Sequence, residues 1–135
     1  MGFSSILTLA GTAFATIWVG FGVNAILRPD HALTFFEFSP PAGASDKQLV
    51  DSLMVVYGAR DIFMGFACYA AAFSGAQKAL GWILIAGSGV AFVDGWVCYQ
   101  AGNQGEWNHW GYAPMLTVVG MLLMGFSEET KAKTE

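Results

Sequence analysis

Charge is what this chain has least of. Only 12% of its 135 residues are Asp, Glu, Lys or Arg, about half the share of an ordinary soluble domain. That scarcity excludes a nucleic-acid surface: the six basic residues form no cluster that could track phosphates. Cysteine is scarce too, with only Cys68 and Cys98, both inside apolar blocks, so neither a disulfide framework nor a zinc pair is expected. The two histidines, His31 and His109, lie far apart among scattered carboxylates, and no metal site of recognisable spacing follows. Phosphate loop, dinucleotide fingerprint, haem attachment motif and nucleophile elbow are all missing.

What remains is apolar. Hydrophobic residues make up 55% of the chain, and mean hydropathy is +0.50. They fall in long blocks with short polar punctuation, which predicts an all-α integral membrane four-helix bundle rather than a soluble bundle with charged outer faces. The expected spans are residues 4–27, about 48–73 with Ser45 or Asp46 as N-cap, about 79–99, and 108–126. Residues 1–127 read as one four-span domain, and 128–135 as a polar, frayed C-terminal tail. The first span lacks a basic leader and a cleavage site and reads as retained. "SGAQK", residues 74–78, makes a tight turn, so the second and third spans form a hairpin. The long first connection carries Phe35, Phe36 and Phe38, which suit a membrane interface, and Pro40-Pro41, which breaks any helix. Lys78, Lys131 and Lys133 on the side of the termini, against Arg28 and Lys47 on the other, favour cytoplasmic termini by three to two.

Against this background three charges demand partners. Arg60 and Asp61 fall mid-span, and Asp94 lies in the second half of the third span. A charge at a helix centre costs about 2.5–3.5 kcal/mol on insertion scales, so the three are expected to form a network. Helical phase places Asp61 with Gly58, Gly65 and Cys68, and Asp94 with Gly87, Ala91 and Cys98, both small-residue faces made for helix contact. Arg60 points about 100° away from Asp61. The pair is therefore expected not to bond to each other: Asp94 across the hairpin is the natural partner of Arg60, and His109, Tyr57 or Asn24 that of Asp61. Gly87, Gly89 and Gly95 read as helix-contact glycines.

Two readings of the network stay open. It is a clasp that fixes helix register, or it lines a pocket where desolvation tunes a carboxylate for acid–base work. In the second reading Asp61 or Asp94 is the acid–base, Arg60 holds developing negative charge, and His109 relays protons. Tyr57, Asn24, Trp110 and Tyr112 are then the ligand contacts. Trp107 and Trp110 also suit interfacial anchoring, and His31 is expected to be solvated.

"YGARDIFMGFACYAA", "GSGVAFVDGWV" and "WNHWGYAPM" resemble the small four-helix membrane proteins of domain-of-unknown-function family 4267, distantly similar to the DoxX-like set. The resemblance covers roughly residues 50–125 and places Arg60, Asp61, Asp94 and His109 on the family pattern. It implies a four-helix bundle, and by analogy a fungal setting in natural-product biosynthesis, in the endoplasmic reticulum membrane. Two functions are carried forward. One is a cofactor-free cyclase, isomerase or oxygenase acting on a lipophilic polyketide- or terpenoid-like molecule in the bilayer. The other is a non-catalytic accessory subunit docked on a membrane-bound oxidase such as a haem monooxygenase. Expected partners are membrane lipid, a lipophilic small molecule, and an oxidase or further copies of the chain, with no nucleic acid.

Overall fold

A computed structural model describes the backbone of residues 2–132 and, apart from Phe3, the side chains through residue 125. Among the described residues the chain is helical, without strands. Four long helices run Phe3–Leu27 (α1), Ala44–Phe73 (α3), Gln77–Gln100 (α4) and Ala113–Ala132 (α6); two five-residue helices, Pro29–Leu33 (α2) and Glu106–Trp110 (α5), sit in the connections.

The breaks follow from the backbone chemistry of the residues at them. Arg28 leaves helical geometry at φ −141°, and Pro29 opens α2 at its first turn, where a missing N–H costs nothing. A 3-10 turn at Thr34–Phe36 ends on Glu37, whose φ of 55° turns the chain back over the bundle. Gly75, at φ +72°, closes the α3–α4 hairpin. Two elements differ from expectation. Helix α3 starts a turn early, at Ala44, with Gly43 as its cap position. The expected fourth span is split, because residues 106–110 form a separate helix and α6 begins only at Ala113. Helix α6 runs on to Ala132, and the tail residues 133–135 lie outside the described residues.

Ser4–Leu27, Ala44–Phe73 and Gln77–Gln100 are each long and apolar enough to cross a membrane. Their outer faces carry large apolar side chains such as Leu9, Val56, Phe63, Phe66 and Val93, all exposed. Helices apolar all round belong in apolar surroundings.

The bundle is built from two tightly crossed pairs. Helix α1 lies on α3, where a Cβ on Gly22 would meet the Gly58 carbonyl oxygen at 2.5 Å and a Cβ on Gly58 would meet that of Gly22 at 2.5 Å. Helix α4 lies on α6 in the same way, with Gly81 and Gly120 each 2.6 Å from the other's carbonyl by the same measure. Only glycine lets backbones approach so closely, and interhelical hydrogen bonds reinforce each pair. Thr16 and Tyr69 share a 2.6 Å hydroxyl contact across α1 and α3; Ser88 and Thr117 share one of 2.7 Å across α4 and α6. Leu7, Trp18, Leu80, Leu84, Leu116 and Leu123 fill the core between the pairs. Cys68 and Cys98 are free and fully buried, as small apolar residues would be.

Candidate functional site

The polar side chains gather toward the end of the bundle where α1 meets α2 and α5 meets α6. Asp61 and Asp94 sit on buried faces with the small residues that helical phase assigned to them, and the two carboxylates are 2% and 8% exposed. Gly87 and Gly95 lie against Trp18 and Trp110. Gly89 does not share this role: it is exposed, and a Cβ there would meet no described atom within 4 Å.

Arg60 joins the two carboxylates. Its Nη1 donates to Asp94 Oδ1 at 3.2 Å and its Nη2 to Asp94 Oδ2 at 2.9 Å, a two-pronged bridge across the hairpin. Its Nε and Nη2 also donate to Asp61 Oδ1, at 3.1 and 3.0 Å. The expectation that Arg60 and Asp61 would not pair is therefore overturned. Their Cβ atoms do diverge, but the Arg side chain is long enough to fold back along the helix, and its planar fork reaches a carboxylate on each side. Arg60 Cζ also lies 4.2 Å from the centre of the Tyr57 ring, a cation–π contact.

Tyr57 separates this charged cluster from a cavity. Its ring meets Phe36 edge-on at 5.3 Å. The cavity, of about 30 Å³, is lined by Asn24, Tyr57, His109, Tyr112 and Asn108, with Phe21, Ala32, Phe35 and Phe36 as its apolar walls. Three of the walls come from the loop. Phe36 lies 4.6 Å from the His109 ring and Phe35 stacks edge-on against Phe21 at 5.1 Å, so the Phe-rich connection folds over the bundle end instead of lying free at an interface. Asn108 Nδ2 ties it down by donating to the Phe35 carbonyl at 3.0 Å.

His109 is 4% exposed. Burial pushes its imidazole below the usual histidine range; Asp94 and a hydrogen bond to the Phe35 backbone pull it up, and Arg60 adds to the lowering. Its Nε2 is buried and has no hydrogen-bond partner among the described residues. The Phe35 bond thus belongs to Nδ1, and the neutral ring offers Nε2 as an acceptor. Asn24 is in the complementary condition. Its Oδ1 is taken by His31 Nδ1 at 3.0 Å, while Nδ2 is buried without a partner among the described residues. His31 is exposed yet engaged, with Phe35 edge-on at 5.5 Å.

Of the sequence-predicted residues, Arg60, Asp61 and Asp94 form the charged cluster, while Asn24, Tyr57, His109 and Tyr112 line the cavity. Neither aspartate is among the lining residues, and nor is Trp110, whose Nε1 donates to the Phe92 carbonyl at 3.2 Å over Gly95. Sequence reasoning missed Phe21 and Ala32 altogether and gave Phe35, Phe36 and Asn108 no part in a pocket. Phe21 was within reach, since it lies one turn before Asn24 on the same helix face. Among the described residues no group of three or more His, Cys, Asp or Glu side chains is placed to hold a metal ion.

No curated protein and no solved structure matches the chain. The family described as domain of unknown function (DUF4267) matches residues 15–123, and the chain belongs to that family.

Proposed function

We propose that the chain is a four-span membrane protein that binds a lipophilic small molecule beside His109 and moves a proton on it. His109 Nε2 carries the reading: a buried acceptor without a partner among the described residues, on a neutral imidazole whose residue lines a cavity together with Tyr57. In this scheme Nε2 removes a proton from the substrate and returns it at another atom, while the Tyr57 hydroxyl donates to the oxygen that gains negative charge. The sum is an isomerisation or ring closure without change of oxidation state, so no oxidant enters. Arg60, held by both aspartates, acts behind Tyr57 as a positioning residue that fixes its ring, rather than as a group that touches substrate. A polyketide- or terpenoid-like substrate, a distant DoxX-like kinship and a fungal endoplasmic reticulum rest on the family resemblance alone.

One observation favours the accessory-subunit reading. The charged cluster satisfies itself, with both Asp94 oxygens engaged by Arg60, as a purely structural clasp would. Complementation separates the two. In a native host lacking the gene, His109→Gln and Tyr57→Phe should insert normally yet leave an unconverted lipophilic metabolite in place of product, with turnover down a hundredfold or more for His109→Gln. Full complementation by both variants would contradict the catalytic reading and support the accessory one.

A further inference from the structure

The cavity does not stand alone. An apolar groove of about 220 Å³ between α1 and α6, lined by Phe14, Ile17, Trp18 and Met115, shares Phe21, Asn108 and Tyr112 with it. At about 30 Å³ the cavity itself has room for roughly one water or one hydroxyl group. Together the two approach the lower end of small-molecule sites, about 300 Å³. Two of its lining residues each hold a buried polar atom without a partner among the described residues: Asn24 Nδ2 needs an acceptor, and His109 Nε2 needs a donor.

We infer that cavity and groove form one site for an uncharged lipid alcohol, its hydroxyl set between Asn24 Nδ2 and His109 Nε2 and its apolar body lying along Phe14, Ile17, Trp18 and Met115. A hydroxyl is the group that accepts and donates through one atom in so small a space. A carboxylate, ketone or ether accepts but brings His109 no proton, and an ammonium donates but accepts nothing from Asn24. An anionic head is also refused by charge: no Lys or Arg is among the lining residues, and nearby Arg60 is already engaged by two aspartates. Leaving two buried polar atoms unsatisfied is costly, so the hydroxyl adds selectivity beyond the burial of its tail.

The inference deepens the preceding proposal by naming a substrate class, and rests on its membrane placement but not on its proton transfer. The test uses the full-length wild-type protein in lipid nanodiscs. A photoreactive diazirine derivative of 1-hexadecanol is displaced by 1-hexadecanol, by its methyl ether, by hexadecane or by palmitate. Expected are labels on Phe14, Ile17, Trp18 or Met115, and displacement by the alcohol at concentrations on the order of tenfold lower than by the ether, which keeps the acceptor and loses the donor. His109→Phe, which removes the acceptor that only the alcohol can satisfy, should erase that preference while labelling persists. Equal displacement by hexadecane would overturn the inference and leave the cavity a water site; so would tighter displacement by palmitate, or labels confined to other helices. Because 1-hexadecanol is saturated and unreactive, a failure here with intact turnover in the host sinks the ligand class alone. Binding here without turnover in the host sinks the proton transfer alone.

Discussion

Removing Arg60 should harm the protein more than removing either of its partners. Arg60→Met strips the cation from two carboxylates that are 2% and 8% exposed, and the cluster already carries one negative charge in excess. Breaking a buried ion pair from one side costs about 3–5 kcal/mol. The Arg60 side chain is 35% exposed, so the lower end, about 3 kcal/mol, is the expectation. Asp94→Asn keeps an acceptor for one prong of the fork and leaves Asp61 as counter-ion, which puts its cost at about 1.5–2 kcal/mol. The double variant Arg60→Met/Asp94→Asn removes cation and surplus anion together. It should therefore be more stable than the single costs added, by a coupling of at least about 1 kcal/mol. Unfolding of the purified protein in mixed micelles, followed by circular dichroism against rising denaturing detergent, measures all three. If the singles stay within about 0.5 kcal/mol of wild type, or the cycle closes with no coupling, the contacts in the cluster are not what holds these charges in the bundle.

Other outcomes follow from the same structure. Gly58→Val and Gly120→Val should each cost about 1–3 kcal/mol, because the new Cβ would sit 2.5 or 2.6 Å from a carbonyl oxygen of the paired helix. Gly89→Ala, in open space, should instead stabilise by up to about 1 kcal/mol; melting temperatures in one detergent compare the three. His109 adds a pH dependence. Its folded pKa lies below the unfolded value of about 6.5, with Asp94 and Arg60 the charges that act on it. Stability is thus complete above that value and falls as pH drops through it, because the unfolded chain binds a proton that the folded one refuses. A thermal melt series from pH 7.5 to 5 should show this fall in wild type and a shallower one in His109→Phe.

Much of this architecture was legible before any coordinates. Apolar runs located the long helices because a helix that faces lipid must be apolar over about 20 residues. The Arg60–Asp94 bridge followed from two facts, the tight "SGAQK" hairpin turn and the cost of an unpaired charge. The Arg60–Asp61 contact did not follow, because helical phase describes where a Cβ points and says nothing of where a long, forked side chain ends. The cavity was hidden for a different reason. Its walls come from α1, the first connection, α3, α5 and the residues before α6, and only the return of the Phe35–Phe36 turn over the bundle brings them together. A local pattern such as "TFFEF" reads equally well as interface anchor or lid. Gly89 shows the limit for single residues: small size licenses a close approach without requiring one.

The most direct test of the central claim is mass spectrometry of small molecules extracted from the tagged protein after mild purification from native membranes, wild type beside His109→Gln. The account predicts a stoichiometric lipophilic compound on both, with the variant holding the unconverted isomer or open-chain form of what the wild type holds. An empty pocket in both, or the same compound unchanged on each beside a stoichiometric oxidase, would contradict it.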